Sequence, residues 1–168
     1  MEEILLRSKE IFTNKLKDYG PSWTIMRLPS ITDQIWIKAK RIRSIQENKL
    51  QEIDETIEET LYGVLNYTII ALIQLKLLEN PSQDIVVLFD QEVNTNIELQ
   101  KKKDKDYGKA WVDMRMESIV DIILMKLIRV KQIEDNNGVT TISEPVEGSY
   151  RDIFNYTIFC LLKIKGEA

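Results

Sequence analysis

The chain has 168 residues, of which 43% are hydrophobic and 30% are charged, so it can form a real core and a polar surface. Its net charge of -4 gives no electrostatic case for binding duplex nucleic acid, which depends on clustered lysines and arginines. Histidine is absent, which excludes Ser-His-Asp catalysis and zinc sites that need imidazole.

The first predicted helix spans roughly Glu2 to Lys17 and ends at a turn, where Gly20 supplies a positive φ. The acidic start of this helix has no long apolar region, so we expect no signal peptide. A second helix is predicted to begin at Ser30, because Ser30 and Asp33 fit a capping box that precedes an apolar stripe at helical spacing.

The third helix is predicted from about Asp54 to Leu78, and it contains the longest apolar stretch of the chain. Asn66, Gln74 and Lys76 interrupt that stretch, which favours a buried core helix over a membrane span. We therefore expect no membrane partner. Pro81 and Ser82 then break the chain.

The rest of the chain repeats the first part at an offset of about 88 residues. Residues 17–20, Lys-Asp-Tyr-Gly, recur at 105–108, and residues 66–69, Asn-Tyr-Thr-Ile, recur at 155–158. The second copy is predicted to have the same three helices, roughly from Asp84 to Asp104, from Ser118 onward, and from Glu147 to Lys165. Residues 136–141 are predicted to form a loop or a short hairpin.

The predicted fold is therefore all-α, a helical bundle of two tandem three-helix repeats related by pseudo-twofold symmetry. Residues 1–80 (copy one) and 81–168 (copy two) should pack together as one compact domain, with the third helix of each copy buried. Cys160, the single cysteine, lies in an apolar run of copy two, which indicates a buried structural thiol and a reducing, cytoplasmic location.

Many positions kept in both copies are polar or aromatic, whereas a shared fold would mainly require apolar ones. At about 100° per residue, Asp33, Lys38 and Arg41 fall on one side of the second helix. Two cations beside a carboxylate could bind phosphate, directly or through a divalent metal. The alternative is a capping aspartate with ordinary surface ion pairs. The matching residues in copy two are Asp121, Lys126 and Arg129.

The start of the third helix is acidic. Glu55 and Glu58 are three residues apart and would share a helix face, where carboxylates can hold Mg²⁺. Acids at a helix N-terminus also offset the helix macrodipole, which is the simpler explanation. The corresponding acids of copy two are Glu144 and Glu147, followed by Asp152.

An asparagine lies inside each apolar third helix, at Asn66 and Asn155. A buried amide needs hydrogen-bond partners, so each is either a structural link between helices or a substrate contact. Aromatic residues near the Tyr-Gly turns could stack on a base or plug the core. These aromatic residues are Tyr19, Trp23, Tyr107 and Trp111.

Taken together, these motifs resemble the nucleotide modification-associated domain family of bacteria and phages, once in each copy. That family is distantly similar to the MazG-like all-α nucleoside triphosphate pyrophosphohydrolases. Those enzymes are often dimeric and bind Mg²⁺ around a triphosphate through acidic residues on two helices.

The resemblance implies Mg²⁺-dependent hydrolysis of a nucleoside triphosphate or a nucleotide-like triphosphate by a homo-oligomer. The implied catalytic residues are Asp121, Glu144, Glu147 and Asp152, and the metal ligands add Asp33, Glu55 and Glu58 to these. The implied substrate-binding residues are Tyr19, Trp23, Arg27, Lys38, Arg41, Asn66, Tyr107, Trp111, Arg115, Lys126, Arg129 and Asn155.

Copy one has Gly63 where copy two has Asp152, so copy two is expected to carry the main metal site. Two other functions remain open. One is a non-catalytic nucleotide-binding or regulatory module, and the other is a structural helical adaptor.

Overall fold

The computed structural model describes residues 1–141 and 145–167. Within these residues the chain forms six α-helices and no strand, which confirms the all-α prediction. The helices are α1 (Glu2–Tyr19), α2 (Leu28–Asn48), α3 (Ile57–Glu79), α4 (Ile85–Tyr107), α5 (Met116–Asp135) and α6 (Val146–Ile164). A short 3-10 helix follows α1 and α4, at Ser22–Ile25 and Ala110–Asp113.

The two copies are packed against each other through matching helices. Within each copy the second and third helices pair, α2 with α3 and α5 with α6, and between copies α3 packs on α6 and α2 on α5. Buried apolar residues from both copies form one continuous cluster. The third helices are thus buried against each other, as the sequence predicted. The first helices contribute less, and α1 buries only Ile4, Ser8 and Phe12.

Helix α3 begins with a capping box that the sequence analysis did not identify. The Thr56 hydroxyl accepts a hydrogen bond from the Glu59 amide at 3.1 Å, and the Glu59 carboxylate accepts one from the Thr56 amide at 2.7 Å. This reciprocal pair satisfies two amides that the helix leaves free at its start. Because α3 starts at Ile57, Glu55 precedes the helix and does not share a helical face with Glu58.

Helix α3 is long and apolar enough to cross a membrane by length and composition. Of its most apolar window, however, 67% is buried inside the protein. A helix that is hydrophobic on nearly all sides and packed on its neighbours is typical of the core of a soluble bundle.

The start of α2 differs from the prediction. The helix begins at Leu28, with Pro29 in its first turn, and the Ser30 amide already donates to the Arg27 carbonyl at 2.9 Å. Proline is favoured in a first helical turn because its φ is preset and its missing N–H has no partner there. Ser30 therefore lies inside the helix, and the predicted capping box with Asp33 is wrong. Helix α5 likewise begins at Met116, before Ser118.

The turns that end the first helices agree with the sequence. Gly20 has a φ of 64° and Gly108 a φ of 60°, as predicted. Residues 136–141 form a turn without a strand.

Candidate functional site

Two cavities lie at equivalent places in the two copies, each between the first and third helices. The copy-one cavity has a volume of about 350 Å³ and the copy-two cavity about 390 Å³. Their walls share residues that the repeat pairs with each other. The pairs are Lys15 with Lys103, Tyr19 with Tyr107, Trp23 with Trp111, Asn66 with Asn155, and Tyr67 with Tyr156.

The copy-one cavity is lined by two lysines without a carboxylate partner. Neither Lys15 nor Lys38 forms an ion pair with any of the described residues. The Lys38 side chain lies over Gly63, where an added Cβ would stand 2.9 Å from the Lys38 Cδ. Its ammonium group is 5.8 Å from the centroid of the Tyr67 ring. The absence of a side chain at position 63 thus leaves room for Lys38 along the cavity wall.

Two glutamates, Glu55 and Glu59, line the same cavity. The Glu55 carboxylate lies 3.3 Å from the Arg41 guanidinium and accepts a hydrogen bond from the Thr60 hydroxyl at 3.0 Å. The capping hydrogen bonds, first that from the Thr56 backbone amide, hold the pKa of Glu59 below its usual value. These contacts fix both carboxylates in place, and the lowered pKa keeps Glu59 ionised at neutral pH.

In the copy-two cavity, Asp152 takes the place of Gly63. Its two carboxylate oxygens each accept a hydrogen bond at 2.7 Å, one from Lys103 and one from Lys126. Burial opposes ionisation of Asp152, but the bonds from the two lysines outweigh it and lower its pKa. The ammonium groups equivalent to Lys15 and Lys38 are thus both paired with one carboxylate of the protein, which offsets one of their two positive charges.

The two asparagines differ in their hydrogen bonding. The Asn66 side-chain oxygen accepts a hydrogen bond from the Ser8 hydroxyl, and its amide nitrogen donates to the Ser8 carbonyl at 3.3 Å. Copy two has Asn96 where copy one has Ser8, and the Asn96 side-chain oxygen instead accepts from Arg151 at 2.9 Å. The Asn155 amide nitrogen is left without a partner among the described residues, although the side chain is only 4% exposed.

The aromatic residues near the Tyr-Gly turns lie either in the wall of a cavity or at its rim. Trp111 stacks on Phe159, with ring centroids 4.2 Å apart and planes 2° apart, and its indole nitrogen is buried without a partner. Trp23 packs beside Phe12 at 6.4 Å. Tyr19 and Tyr107 are 71% and 73% exposed. The tryptophans thus form the wall of each cavity, and the tyrosines stand at its edge.

Asp33 and Asp121 line neither cavity. Asp33 lies 3.2 Å from Lys131, and Asp121 lies 3.5 Å from Arg43. Lys131 and Arg43 are matched by the repeat, so these two ion pairs form one pseudo-symmetric set between α2 and α5. The two aspartates contribute to the contact between the copies.

The other predicted residues also lie apart from one another. Glu147 is 2.6 Å from Arg151, which is also 2.9 Å from Glu92, and Glu58 is 3.8 Å from Lys165. Glu144 lies outside the described residues. Three of the predicted substrate-binding residues, Arg27, Arg115 and Arg129, are exposed and line neither cavity. Within residues 1–141 and 145–167, no group of three or more cysteines or carboxylates is arranged to hold a metal ion.

Lys15 and Lys103 were missed by the sequence analysis, although both line cavities. The repeat already carried the signal, because these two lysines lie at equivalent positions two residues before the repeated Lys-Asp-Tyr-Gly. They line the cavities because the first helix of each copy places them opposite the third helix of the same copy.

The model of one protein family, described as nucleotide modification associated domain 1, matches residues 15–75 and 103–164. These two segments together cover more than half of the chain and correspond to the two copies. No curated protein and no solved structure matches the chain significantly.

Proposed function

We propose that the copy-one cavity binds the phosphates of a nucleotide. The premise is that the chain belongs to the nucleotide modification associated domain 1 family. One observation carries this proposal. Lys15 and Lys38 line the cavity and neither has a carboxylate partner, and Lys38 lies over Gly63, which has no side chain. A lysine ammonium is a compact positive charge with three donors, which suits phosphate oxygens.

The shape of the cavity is consistent with this ligand. A volume of about 350 Å³ lies at the lower end of the range for small-molecule pockets. Trp23 in the wall and Tyr19 at the rim offer aromatic surface on which a base can stack. The base, sugar and phosphates of one nucleotide would then all meet groups within a single cavity.

The two glutamates of the copy-one cavity, Glu55 and Glu59, favour a nucleotide that binds as its Mg²⁺ complex. Magnesium in such sites is commonly held by one or two carboxylates together with phosphate oxygens. Glu55 and Glu59 line the cavity and are fixed by Arg41, Thr60 and Thr56, so they would hold such an ion. When bound, Mg²⁺ neutralises phosphate charge and activates water.

Hydrolysis of the triphosphate to release pyrophosphate is the enzymatic form of this proposal. The observation in its favour is that two glutamates and two lysines line one cavity. The alternative is that the same cavity binds the nucleotide without cleaving it. Measurement of pyrophosphate release from each of the four common nucleoside triphosphates with Mg²⁺ separates the two forms.

The binding test uses the natural difference between the copies. Gly63→Asp places a carboxylate between Lys15 and Lys38, as Asp152 does between Lys103 and Lys126. We expect titration calorimetry with ATP, GTP, CTP and UTP to show binding to the wild type and at least a roughly tenfold loss in this variant. Gly63→Ser is the matched control, because it adds a small polar side chain without charge.

The reciprocal change is Asp152→Asn, which leaves Lys103 and Lys126 without their carboxylate. We expect this variant to bind triphosphate at a second site. Equal triphosphate affinity in the wild type, Gly63→Asp and Lys38→Met would contradict the proposed phosphate site. Thermal melts of each variant establish that the fold is retained.

A further inference from the structure

The copy-two cavity contains two buried donors that have no partner among the described residues. They are the Asn155 amide nitrogen and the Trp111 indole nitrogen, and both side chains line the cavity. A buried donor without an acceptor is unfavourable, and native proteins rarely leave one unless a ligand or water completes it. The same wall of copy one has no such deficit at Asn66, because Ser8 completes it.

The charged residues that line the copy-two cavity are two lysines, Lys103 and Lys109, and two aspartates, Asp104 and Asp152, so their formal charges cancel. Asp152 holds Lys103 and Lys126, and Asp104 accepts a hydrogen bond from Gln100 at 2.6 Å. A phosphate entering this cavity would have to compete with Asp152 for Lys103 and would meet the negative charges of Asp104 and Asp152, while Lys109 lines the cavity without an ion pair to a described residue. An uncharged ligand meets no such competition.

The walls of this cavity are flat and largely apolar. Trp111 stacks on Phe159, Tyr156 stands edge-on to Phe159 at 5.7 Å, and Met114 lies beside them. A planar ring can pack against this aromatic wall, and carbonyl oxygens on that ring would accept from the two free donors.

We infer that the copy-two cavity is a second binding site, for an uncharged, planar, carbonyl-bearing molecule of the nucleobase or nucleoside class. Its recognition groups are Asn155 and Trp111, and it is independent of the phosphate site in copy one. The duplicated unit would then have separated two tasks. One cavity binds phosphate and the other binds an uncharged base.

The experiment measures binding of uridine, cytidine, guanosine and adenosine, all without phosphate, to the full chain by titration calorimetry at millimolar ligand. The background is Lys38→Met, which removes the proposed phosphate site and so keeps the two proposals distinguishable. We expect a carbonyl-bearing nucleoside to bind in this background as well as in the wild type. No binding by any of the four nucleosides, or binding that disappears with Lys38→Met, overturns the inference.

Trp111→Phe keeps the stacked ring but removes the indole donor, and Asn155→Leu keeps the side-chain volume but removes the amide. Each should weaken nucleoside binding by about three- to tenfold, as expected for one lost hydrogen bond. Trp36→Phe is the matched control, because Trp36 lines neither cavity, and it should leave binding unchanged. Thermal melting identifies any variant that fails to fold. Unchanged nucleoside affinity in both folded site variants would overturn the assignment.

Discussion

The hydroxyl oxygens of Thr32 and Tyr150 lie 2.6 Å apart, in a hydrogen bond that joins α2 of copy one to α6 of copy two. The Thr32 hydroxyl also donates to the Glu134 carboxylate at 3.0 Å. The same hydroxyl lies 3.1 Å from the Leu28 carbonyl, and either hydroxyl can donate in the bond between Thr32 and Tyr150. Burial raises the pKa of Tyr150, so its hydroxyl keeps its proton at any ordinary pH. Glu134 is thereby placed at the contact between the copies.

Glu134→Gln tests how much the partly buried negative charge of Glu134 lowers the free energy of unfolding. Burial raises the pKa of Glu134 above its ordinary value of 4.5, and the Thr32 hydrogen bond only partly opposes this. The folded state thus holds the proton more tightly than the unfolded state, so this group's contribution to stability falls as pH rises through its folded pKa. We expect the glutamine variant to be more stable than the wild type at pH 7 by about 0.5–1 kcal/mol.

Urea unfolding of both proteins at pH 7 and at pH 4.5 checks this prediction. The difference should shrink at the lower pH, where the wild-type carboxyl takes up its proton. A variant that is less stable by the same amount at both pH values would show that the hydrogen bond outweighs the cost of burial.

Asp152→Asn should have the opposite pH dependence. Hydrogen bonds from Lys103 and Lys126 outweigh burial and lower the pKa of Asp152. Its stabilising contribution is therefore present above its unfolded pKa, near 3.8, and is lost as pH falls through the folded pKa. We expect the variant to lose about 1–2 kcal/mol of unfolding free energy at pH 7 and to depend less on acid below pH 4.

The matched control is Asp90→Asn. Asp90 also bonds one lysine, Lys9, at 2.9 Å, but both side chains are at least 40% exposed. Exposed ion pairs contribute little, so this variant should change stability by less than about 0.5 kcal/mol. Equal losses in the two variants would mean that the position of Asp152 between two lysines adds nothing to its effect.

The helices were predictable because apolar spacing and glycine turns are local properties of the chain. The turns at Gly20 and Gly108 agree, as does the burial of the apolar third helices. The repeat predicted that the copies are similar and pack together. The predicted start of α2 was wrong because Pro29, which favours a first helical turn, places the start of the helix before Ser30.

The site was only partly predictable, because side-chain partners depend on which helix faces meet. The repeat singled out Lys38 on the second helix and Asn66 and Asn155 on the third helices, and all three line the cavities. Nothing local indicated that Asp33 would meet Lys131 from the other copy, or that Asn155 would be left without a partner. Both outcomes arise from packing between helices far apart in sequence.

Cys160 should be unreactive in the folded protein. The residue is fully buried, and burial raises the pKa of its thiol to about 12, so almost no thiolate exists at pH 8. We expect a disulfide reagent to modify it at pH 8 only as fast as the protein opens, and within seconds to minutes in denaturing urea. Rapid stoichiometric modification without urea would show that α6 opens locally.

Gly63→Ala tests two opposing effects on stability, the helix propensity of residue 63 in α3 and the contact of residue 63 with the Lys38 side chain. A glycine in a helix interior costs about 1 kcal/mol relative to alanine, so the substitution should stabilise α3. The new Cβ would stand 2.9 Å from the Lys38 Cδ, however, and Lys38 would have to move. Since Lys38 is held by no ion pair to a described residue, that movement costs little. We expect a net gain of about 0.5 kcal/mol in the free energy of unfolding.

A double-mutant cycle with Lys38→Ala makes this prediction sharper. When Lys38 is shortened, nothing opposes the new methyl group, and Gly63→Ala should give its full gain of about 1 kcal/mol. The difference between the two backgrounds, measured by urea unfolding, is the cost of displacing the lysine from Gly63. A loss of stability in both backgrounds would instead show that α3 needs glycine at this position for its own backbone. The room above Gly63 would then be a by-product of helix packing.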